Sequence, residues 1–565
     1  MIPRSCWFIA AVAFYLSCGE THPPAERAFR NGSIYTVDRE RSSAQALAIS
    51  RGRLVYVGSN QGLAAFVGPK TEVIDLGGRM VLPGFVDSHS HPLSAVTQAT
   101  SVYLYNLRSL DGYLKTVAEF AAKHPEKAVI RGAGWSNTLF PPVGPLKKDL
   151  DRVVSERPVF LTSEDGHSAW VNSKTLQIAG ITGGTANPQG GVIERDAKTK
   201  EPAGTLRENA VGLASRAIPP NTEEELVEGL RLFQKMAGES GVTTVHDAAV
   251  GLEGWSAEPY EKLQASGELS VRFRGALLLT PEMGAEKIPA LVQERARHRG
   301  ELFQTNAVKI FADGVVEGGT AYLLEPYQHR PDFRGVSIWD AEVMKKVFAA
   351  LDKEGFQIHI HAIGDAATRM ALDALDHARR ANGSRDWRPL ITHLQLVAAA
   401  DLPRFKALGV VAVPQPFWHQ KGNYYLRLEV PYLGRERADR EYPLQSFIKA
   451  GVVLASASDY SVTYPFLPLI GIERGVTRIA NGRTEPGEVL GPEERASLAD
   501  MIASFTIGGA YANFLESEVG SLEVGKSADL VVLDKNLFEL PPEKIDEARV
   551  MLTVFRGKDV YGHLQ

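Results

Sequence analysis

Leu82-Pro83-Gly84-Phe85-Val86-Asp87-Ser88-His89-Ser90-His91 is an apolar run that turns polar over its last residues and ends on two histidines one residue apart. Such a run reads as a buried strand with reactive groups at its C-terminal end. Taken as Val81–His89, it is the first of eight. The others are Gly241–Asp247, Val271–Leu279, Ala307–Asp313, Phe356–His361, Pro389–Gln395, Gly409–Gln415 and Gly451–Asp459. Amphipathic stretches of helical length, such as Asp340–Asp352 and Ala366–Ala378, lie between them. Eight β–α repeats predict an α/β fold, a (β/α)8 TIM-like barrel over residues 82–514.

The first connection, from Pro92 to about Ser240, is too long for one helix. It carries runs of its own, Ala128-Val129-Ile130-Arg131 and Pro158-Val159-Phe160-Leu161-Thr162, and predicts a subdomain inserted over the barrel mouth at about 93–240. Short alternating strands flank the barrel: Ser33–Val37, Gln45–Ile49 and Arg53–Gly58 before it, Ala528–Leu533 and Val550–Phe555 after it. The two chain ends, 28–81 and 515–565, are therefore expected to form one small composite β-sandwich domain.

The chain has 565 residues, 44% of them hydrophobic, with 62 Lys+Arg against 67 Asp+Glu. These proportions exclude a disordered, collagen-like or coiled-coil chain. A net charge of −5, without long blocks of one sign, gives no electrostatic case for nucleic acid. The expected partner is a small-molecule substrate, and a homodimer is the default assembly. Both cysteines, Cys6 and Cys18, fall in an N-terminal segment with Arg4, an apolar stretch from Cys6 to Leu16 and small residues at Ser17-Cys18-Gly19. Residues 1–18 read as an export signal, too short to span a bilayer as a helix. Cys18 at its border suggests a lipoprotein, so the expected location is periplasmic or membrane-anchored through a lipid on Cys18.

The active face of such a barrel lies at the C-terminal ends of its strands. Those ends hold Asp87, His89 and His91 (strand 1), Lys309 and Asp313 (strand 4), His359 and His361 (strand 5), His393 (strand 6) and Asp459 (strand 8). Residues two apart in a strand point to one side, so His89 and His91 can hold a single ion. Imidazoles and carboxylates so arranged suit Zn2+ with an open position, or a related divalent ion. A single histidine at a strand end is more often a hydrogen-bonded structural residue; five strands each delivering a ligand type to one end is a different matter.

The chain resembles the amidohydrolase superfamily of metal-dependent hydrolases, in the amidohydrolase-3 branch that includes N-substituted formamide deformylases. Its motifs are the run 82–91, Asp165-Gly166-His167-Ser168-Ala169-Trp170-Val171-Asn172-Ser173, Gly241–Asp247, Val308–Gly314, His361-Ala362-Ile363-Gly364-Asp365, Thr392-His393-Leu394-Gln395, Ala457-Ser458-Asp459 and Gly520–Val531. The resemblance implies that His89 and His91 bind a first ion and His361 and His393 a second. It further implies that Lys309, carbamylated by CO2, bridges the two, the alternative being a structural Lys309 paired with Asp313. It implies too that Asp459 contacts the metal and shuttles a proton to the leaving nitrogen. His359 is expected to be a packed, hydrogen-bonded histidine.

The activity implied is hydrolysis of an amide-type C–N bond in a small molecule by a metal-activated hydroxide attacking the carbonyl. His167, Asn172, Trp135, Trp170 and Gln415 are the candidates for positioning the substrate. Phe417, Trp418 and Tyr460, near Gln415, hint at an aromatic or apolar acyl or amine group. Other readings are a hydrolase of a cyclic amide, ester or lactone, and a lipid-anchored solute-binding protein without chemistry. Asp459 argues against the last, since binding alone needs no proton shuttle. H-E-x-x-H, Walker A, G-x-S-x-G and C-x-x-C motifs are missing.

Overall fold

A computed structural model of the chain describes residues 22–251, 256–480 and 488–564. The segment 1–18 read as an export signal, with Cys6 and Cys18, lies outside the described residues. Among these, no helix is long and apolar enough to cross a membrane.

Seven parallel strands form the barrel, numbered here in chain order: Phe85–Ser90, Val242–Val250, Arg272–Leu278, Phe303–Phe311, Gln357–Ala362, Leu390–His393 and Val411–Val413. The eighth run closes the barrel as an irregular segment. On one side Ala412 N donates to Val453 O, and Ala455 N to Ala412 O. On the other Ser88 N donates to Ser456 O, Asp459 N to His89 O and His91 N to Tyr460 O. The barrel wall packs through Phe273, Val308, Ile310, Ile358 and Ile360 against helices such as Ala341–Lys353 and Asp365–Asn382, which bury Phe348, Leu351, Leu372 and Leu375.

The decisive run 82–91 serves two sheets. Met80–Pro83 pairs antiparallel with Leu530–Leu533, and Phe85–Ser90 pairs parallel with Val242–Val250. Gly84 is the joint, because a Cβ there would meet Thr243 Oγ1 at 2.3 Å. Met80–Pro83 belongs to a six-stranded sheet in the order Lys558–Gly562, Val550–Phe555, Leu530–Leu533, Met80–Pro83, Ser33–Tyr35, Ser43–Ala44. A four-stranded sheet from residues 27–75 faces it across a core of Phe29, Leu47, Ile74, Val81, Leu530 and Val554. A buried ion pair, Arg272 Nη1 to Asp529 Oδ2 at 2.7 Å, ties barrel strand 3 to this chain end.

Within the long first connection a six-stranded mixed sheet runs Gly191–Arg195, Pro202–Glu208, Ser168–Val171, Val159–Ser163, Ile130–Trp135, Val102–Tyr103. The helix Glu223–Glu239, which the sequence reading placed inside the insertion, belongs to the barrel. It starts at a capping box, Thr222 with Glu225, and buries Leu226, Leu230 and Phe233 in the barrel core.

Candidate metal centre

Strand register places the ligand types side by side. Lys309 pairs with His359 and Phe311 with His361 across strands 4 and 5, so these alternate residues share a face. His393 pairs with Ala362, one residue out of step with His361. In a regular strand it would face away; a left-handed backbone at His393, φ 74°, turns its ring toward the others. Asp459 also has a left-handed backbone, φ 57°, where the closing segment bends over the mouth. Strained non-glycine backbone of this kind gathers at functional sites, at a cost of about 1–3 kcal/mol each.

Three groups converge: ligand atoms of His89, His393 and Asp459 all lie within 4.8 Å of one another, and all three residues are buried. Asp459 Oδ1 stands 3.4 Å from His89 Nε2 and 3.2 Å from His91 Nε2, while its Oδ2 is 3.9 Å from His393 Nδ1. The His361 and His393 rings are 4.5 Å apart, and Lys309 Nζ is 3.5 Å from His89 Nε2. The structure therefore brings His89, His91, Lys309, His361, His393 and Asp459 to one place. Asp459 Oδ1 and His91 Nδ1 are buried without a hydrogen-bond partner. A buried carboxylate oxygen facing imidazole nitrogens at 3.2 and 3.4 Å fits a cation between them, as does the donor set itself.

Electrostatics agree with that fit. Burial holds His89, His361 and His393 well below the ordinary histidine value, aided for His89 by the Lys309 charge. They are neutral, the form that binds a metal. Burial alone would raise Asp459, but His91, His393 and Lys309 outweigh it and hold the carboxyl down at about 2. Burial pushes the Lys309 ammonium down to about 7 against the pull of Asp459 and Asp247.

The groups behind these residues orient them. Asp87 accepts from His89 N at 3.3 Å, from Ser458 N at 2.9 Å and from Ser458 Oγ, locking strand 1 to the Asp459 segment. His361 Nε2 donates to Gly314 O at 3.1 Å, which leaves its Nδ1 lone pair free. Asp313 does not pair with Lys309; its carboxylate accepts from the backbone N–H of Ile363, Gly364 and Tyr322. His359 is buried and hydrogen-bonded between His89 and His246.

The five substrate candidates divide. His167 reaches the centre, its ring 5.1 Å from that of His361, with Nδ1 2.7 Å from Glu208 Oε2. Gln415 lies behind the centre: its Oε1 accepts from His393 Nδ1 at 3.0 Å while its Nε2 donates to Thr392 Oγ1. Trp135 and Asn172 do not come to the site. Trp135 is fully buried in the insertion's own core, with Nε1 donating to Leu161 O. Asn172 caps the helix Ser173–Ile178, accepting from Thr175 N and Val159 N and donating to Val154 O and Arg157 O. Trp170 is likewise fully buried in that core. Of the nearby aromatics, Trp418 stacks on His393 at 5.6 Å, whereas Phe417 and Tyr460 are buried against Phe505 and against Phe233 and Phe466. The sequence reading missed Glu208, His246 and Asn513. His246 lies in the run Gly241–Asp247 that the sequence offers as strand 2, and its place near the C-terminal end of that run was its available signal.

A parallel barrel carrying neutral imidazoles, a carboxylate and a lysine at the C-terminal ends of its strands defines a metal-site hydrolase of the barrel type. The chain belongs to the amidohydrolase family, in its amidohydrolase-3 branch: the family model matches residues 72–561. It is 33% identical over 538 residues to Protein LONG AFTER FAR-RED 3 of Arabidopsis thaliana, covering 94% of this chain and 91% of that protein. It is 26% identical over 551 residues to N-substituted formamide deformylase of Arthrobacter pascens, covering 93% of this chain and 96% of that one. The crystal structure of an uncharacterized metal-dependent hydrolase from Pyrococcus furiosus superposes with a TM-score of 0.69 at 27% identity, over 90% of this chain and 99% of the other.

Proposed function

We propose that this amidohydrolase-family hydrolase cleaves the C–N bond of a small linear amide, an N-formyl or N-acyl amine, with zinc as its metal. His89, His393 and Asp459 would hold the ion, and His91, His361 and Lys309 would complete the donor set for one or two ions. A divalent ion in such a set supplies Lewis acidity, bringing the pKa of water from 15.7 to about 7 and polarising a carbonyl. The convergence of buried ligand atoms from His89, His393 and Asp459 within 4.8 Å of one another is the observation that supports this reading most directly.

The chain's own groups divide the remaining work. Asp459 takes a proton from the attacking water on Oδ1 and returns it to the departing nitrogen, a step worth about 10²- to 10⁴-fold. His167, oriented by Glu208, donates toward the substrate carbonyl oxygen. The half-buried face of Trp418 beside His393 receives an apolar or aromatic substituent. Lys309 is proposed to carry a carbamate: its neutral Nζ adds to the carbon of CO2, loses a proton and becomes an anionic oxygen donor. Its full burial, and an Asp313 already occupied elsewhere, support that assignment. Export, with a lipid on Cys18, is proposed on the leader sequence.

The test is zinc content by plasma mass spectrometry for wild type and His393→Ala, beside a screen for amine release from N-formyl and N-acyl amines. One or two equivalents in the wild type, lost in the variant, are expected. A folded, zinc-supplied protein that holds none overturns the proposal.

A further inference from the structure

Three histidines and an asparagine from four separate elements form one hydrogen-bonded line through the barrel interior. His89 Nδ1 is 2.7 Å from His359 Nε2, His359 Nδ1 is 3.1 Å from His246 Nε2, and His246 Nδ1 is 2.7 Å from Asn513 Oδ1. All four side chains are buried. They come from strand 1, strand 5, strand 2 and the residue after the helix Ile507–Ala512. Three imidazoles packed against one another out of water disfavour a charge on any of them, and at each N···N contact one nitrogen donates and the other accepts, so each ring carries one N–H and one lone pair.

The line has a direction, and its far end sets it. Asn513 Nδ2 donates to Gly509 O at 2.8 Å, which fixes the amide with its oxygen toward His246. A carbonyl oxygen only accepts, so His246 must hold its proton on Nδ1. His246 Nε2 is then an acceptor, His359 holds its proton on Nδ1, and His359 Nε2 accepts in turn. His89 must therefore hold its proton on Nδ1, leaving the Nε2 lone pair aimed at Asp459 and Lys309. Rotating the Asn513 amide by half a turn would set two oxygens 2.8 Å apart at Gly509. It would also reverse every proton and put an N–H on the nitrogen that faces the centre.

We propose that Asn513 is a positioning residue for the metal centre: through His246 and His359 its amide fixes His89 in the tautomer that can ligate an ion through Nε2. This rests on the metal-site reading given above and adds a residue that touches neither ion nor substrate. Groups that orient a metal-binding histidine are typically worth about 10- to 100-fold in metal affinity. In a chain of bonds out of water each link polarises the next, so an acceptor lost at one end is felt at the other.

Two measurements on the full chain test it. Side-chain 15N spectra of [15N]histidine protein, as purified and after chelation, with His89→Gln and His246→Gln to assign resonances, report where each proton sits. Protons on Nδ1 of His89, His246 and His359 in the chelated protein are expected; an Nε2–H or doubly protonated His89 overturns the proposal, and this arm needs no folded Asn513 variant. Zinc affinity by competition with a chromophoric chelator should fall about 10- to 100-fold in Asn513→Leu. A folded Asn513→Leu that binds zinc as the wild type does overturns the proposal, whereas a wild type that binds no zinc overturns the metal-site reading instead.

Discussion

Asp459 Oδ1 lies 3.2 Å from His91 Nε2, and the backbone N–H of Asp459 donates to His89 O at 2.8 Å. The segment that closes the barrel thus carries the carboxylate and is stitched to the strand bearing the first two histidines. Asp87 binds the same segment through Ser458, so a shift in either strand 1 or the closing segment would move ligands on both.

Asp459→Asn separates proton transfer from ion binding. Asn retains an oxygen donor and the residue's size, so metal content should stay within about twofold of wild type. Turnover of an N-formyl or N-acyl amine should fall about 10²- to 10⁴-fold, the usual worth of a lost acid–base group. Steady-state rates beside metal analysis on the same preparation check this, and wild-type turnover would remove Asp459 from the chemistry.

Lys309→Met keeps the stem of the side chain in its buried place and removes the nitrogen. If Lys309 carries a carbamate, the native mass of wild type should exceed the sequence mass by one CO2, and Lys309→Met should lose most of its metal. Supplying bicarbonate during zinc loading should raise wild-type activity and leave the variant unchanged. A wild-type chain at its unmodified mass, with full metal in Lys309→Met, would return Lys309 to a structural role.

Asn172→Ala probes a residue whose side chain is spent on the insertion. Removing an N-cap that also satisfies the buried Val154 carbonyl and the partly buried Arg157 carbonyl should cost about 1–3 kcal/mol of stability, read from denaturant midpoints. The KM and kcat of the folded protein should change by less than about twofold, because no bond from Asn172 reaches the centre. A raised KM with unchanged stability would place Asn172 in the pocket after all.

The contrast between His89 and Asn172 shows what the sequence makes legible. His89-Ser90-His91 is readable because strand periodicity alone puts both rings on one side. His361 and Lys309 stand on strands of the same barrel, but strand periodicity puts His359 on the side of His361 as well, and it was the family resemblance that chose His361 and gave Lys309 its role. Asn172 sat in a resembling motif, yet Asn-Ser-Lys-Thr before an apolar residue is also a helix start, and the local cap used up the side chain. Thr222 and Glu225 gave an equally local signal, a capping box that marks the start of the barrel's first helix rather than more insertion. Asn513 had no local signal, since its partner His246 is 267 residues away and only the closed barrel brings them together. His393 was legible as a ligand type but not in its direction, which depends on a left-handed backbone that regular strand geometry does not foresee.

Glu429 and Glu441 give a pH dependence away from the centre. Both are buried and accept from Gln395 Nε2, at 3.2 and 2.9 Å. Burial raises both carboxyls; the Glu317 charge adds to it for Glu429, which reaches about 8 although its hydrogen bond with Glu441 pulls it down, and the Glu429 charge adds to it for Glu441, which is raised well above its ordinary value. A carboxyl whose folded value lies above its unfolded one binds its proton more tightly when folded. Stability is therefore unaffected below the unfolded value of 4.5, declines as pH rises, and goes on declining past about 8, where Glu429 has ionised and Glu441 still holds its proton. Glu441→Gln removes one ionisation and the like charge beside Glu429, while still offering Gln395 an oxygen. Relative to wild type the variant should gain about 1–3 kcal/mol in stability between roughly pH 5 and pH 8.5, read from urea midpoints across that range. A constant difference at every pH would mean that the two carboxyls do not share a proton behind strand 6.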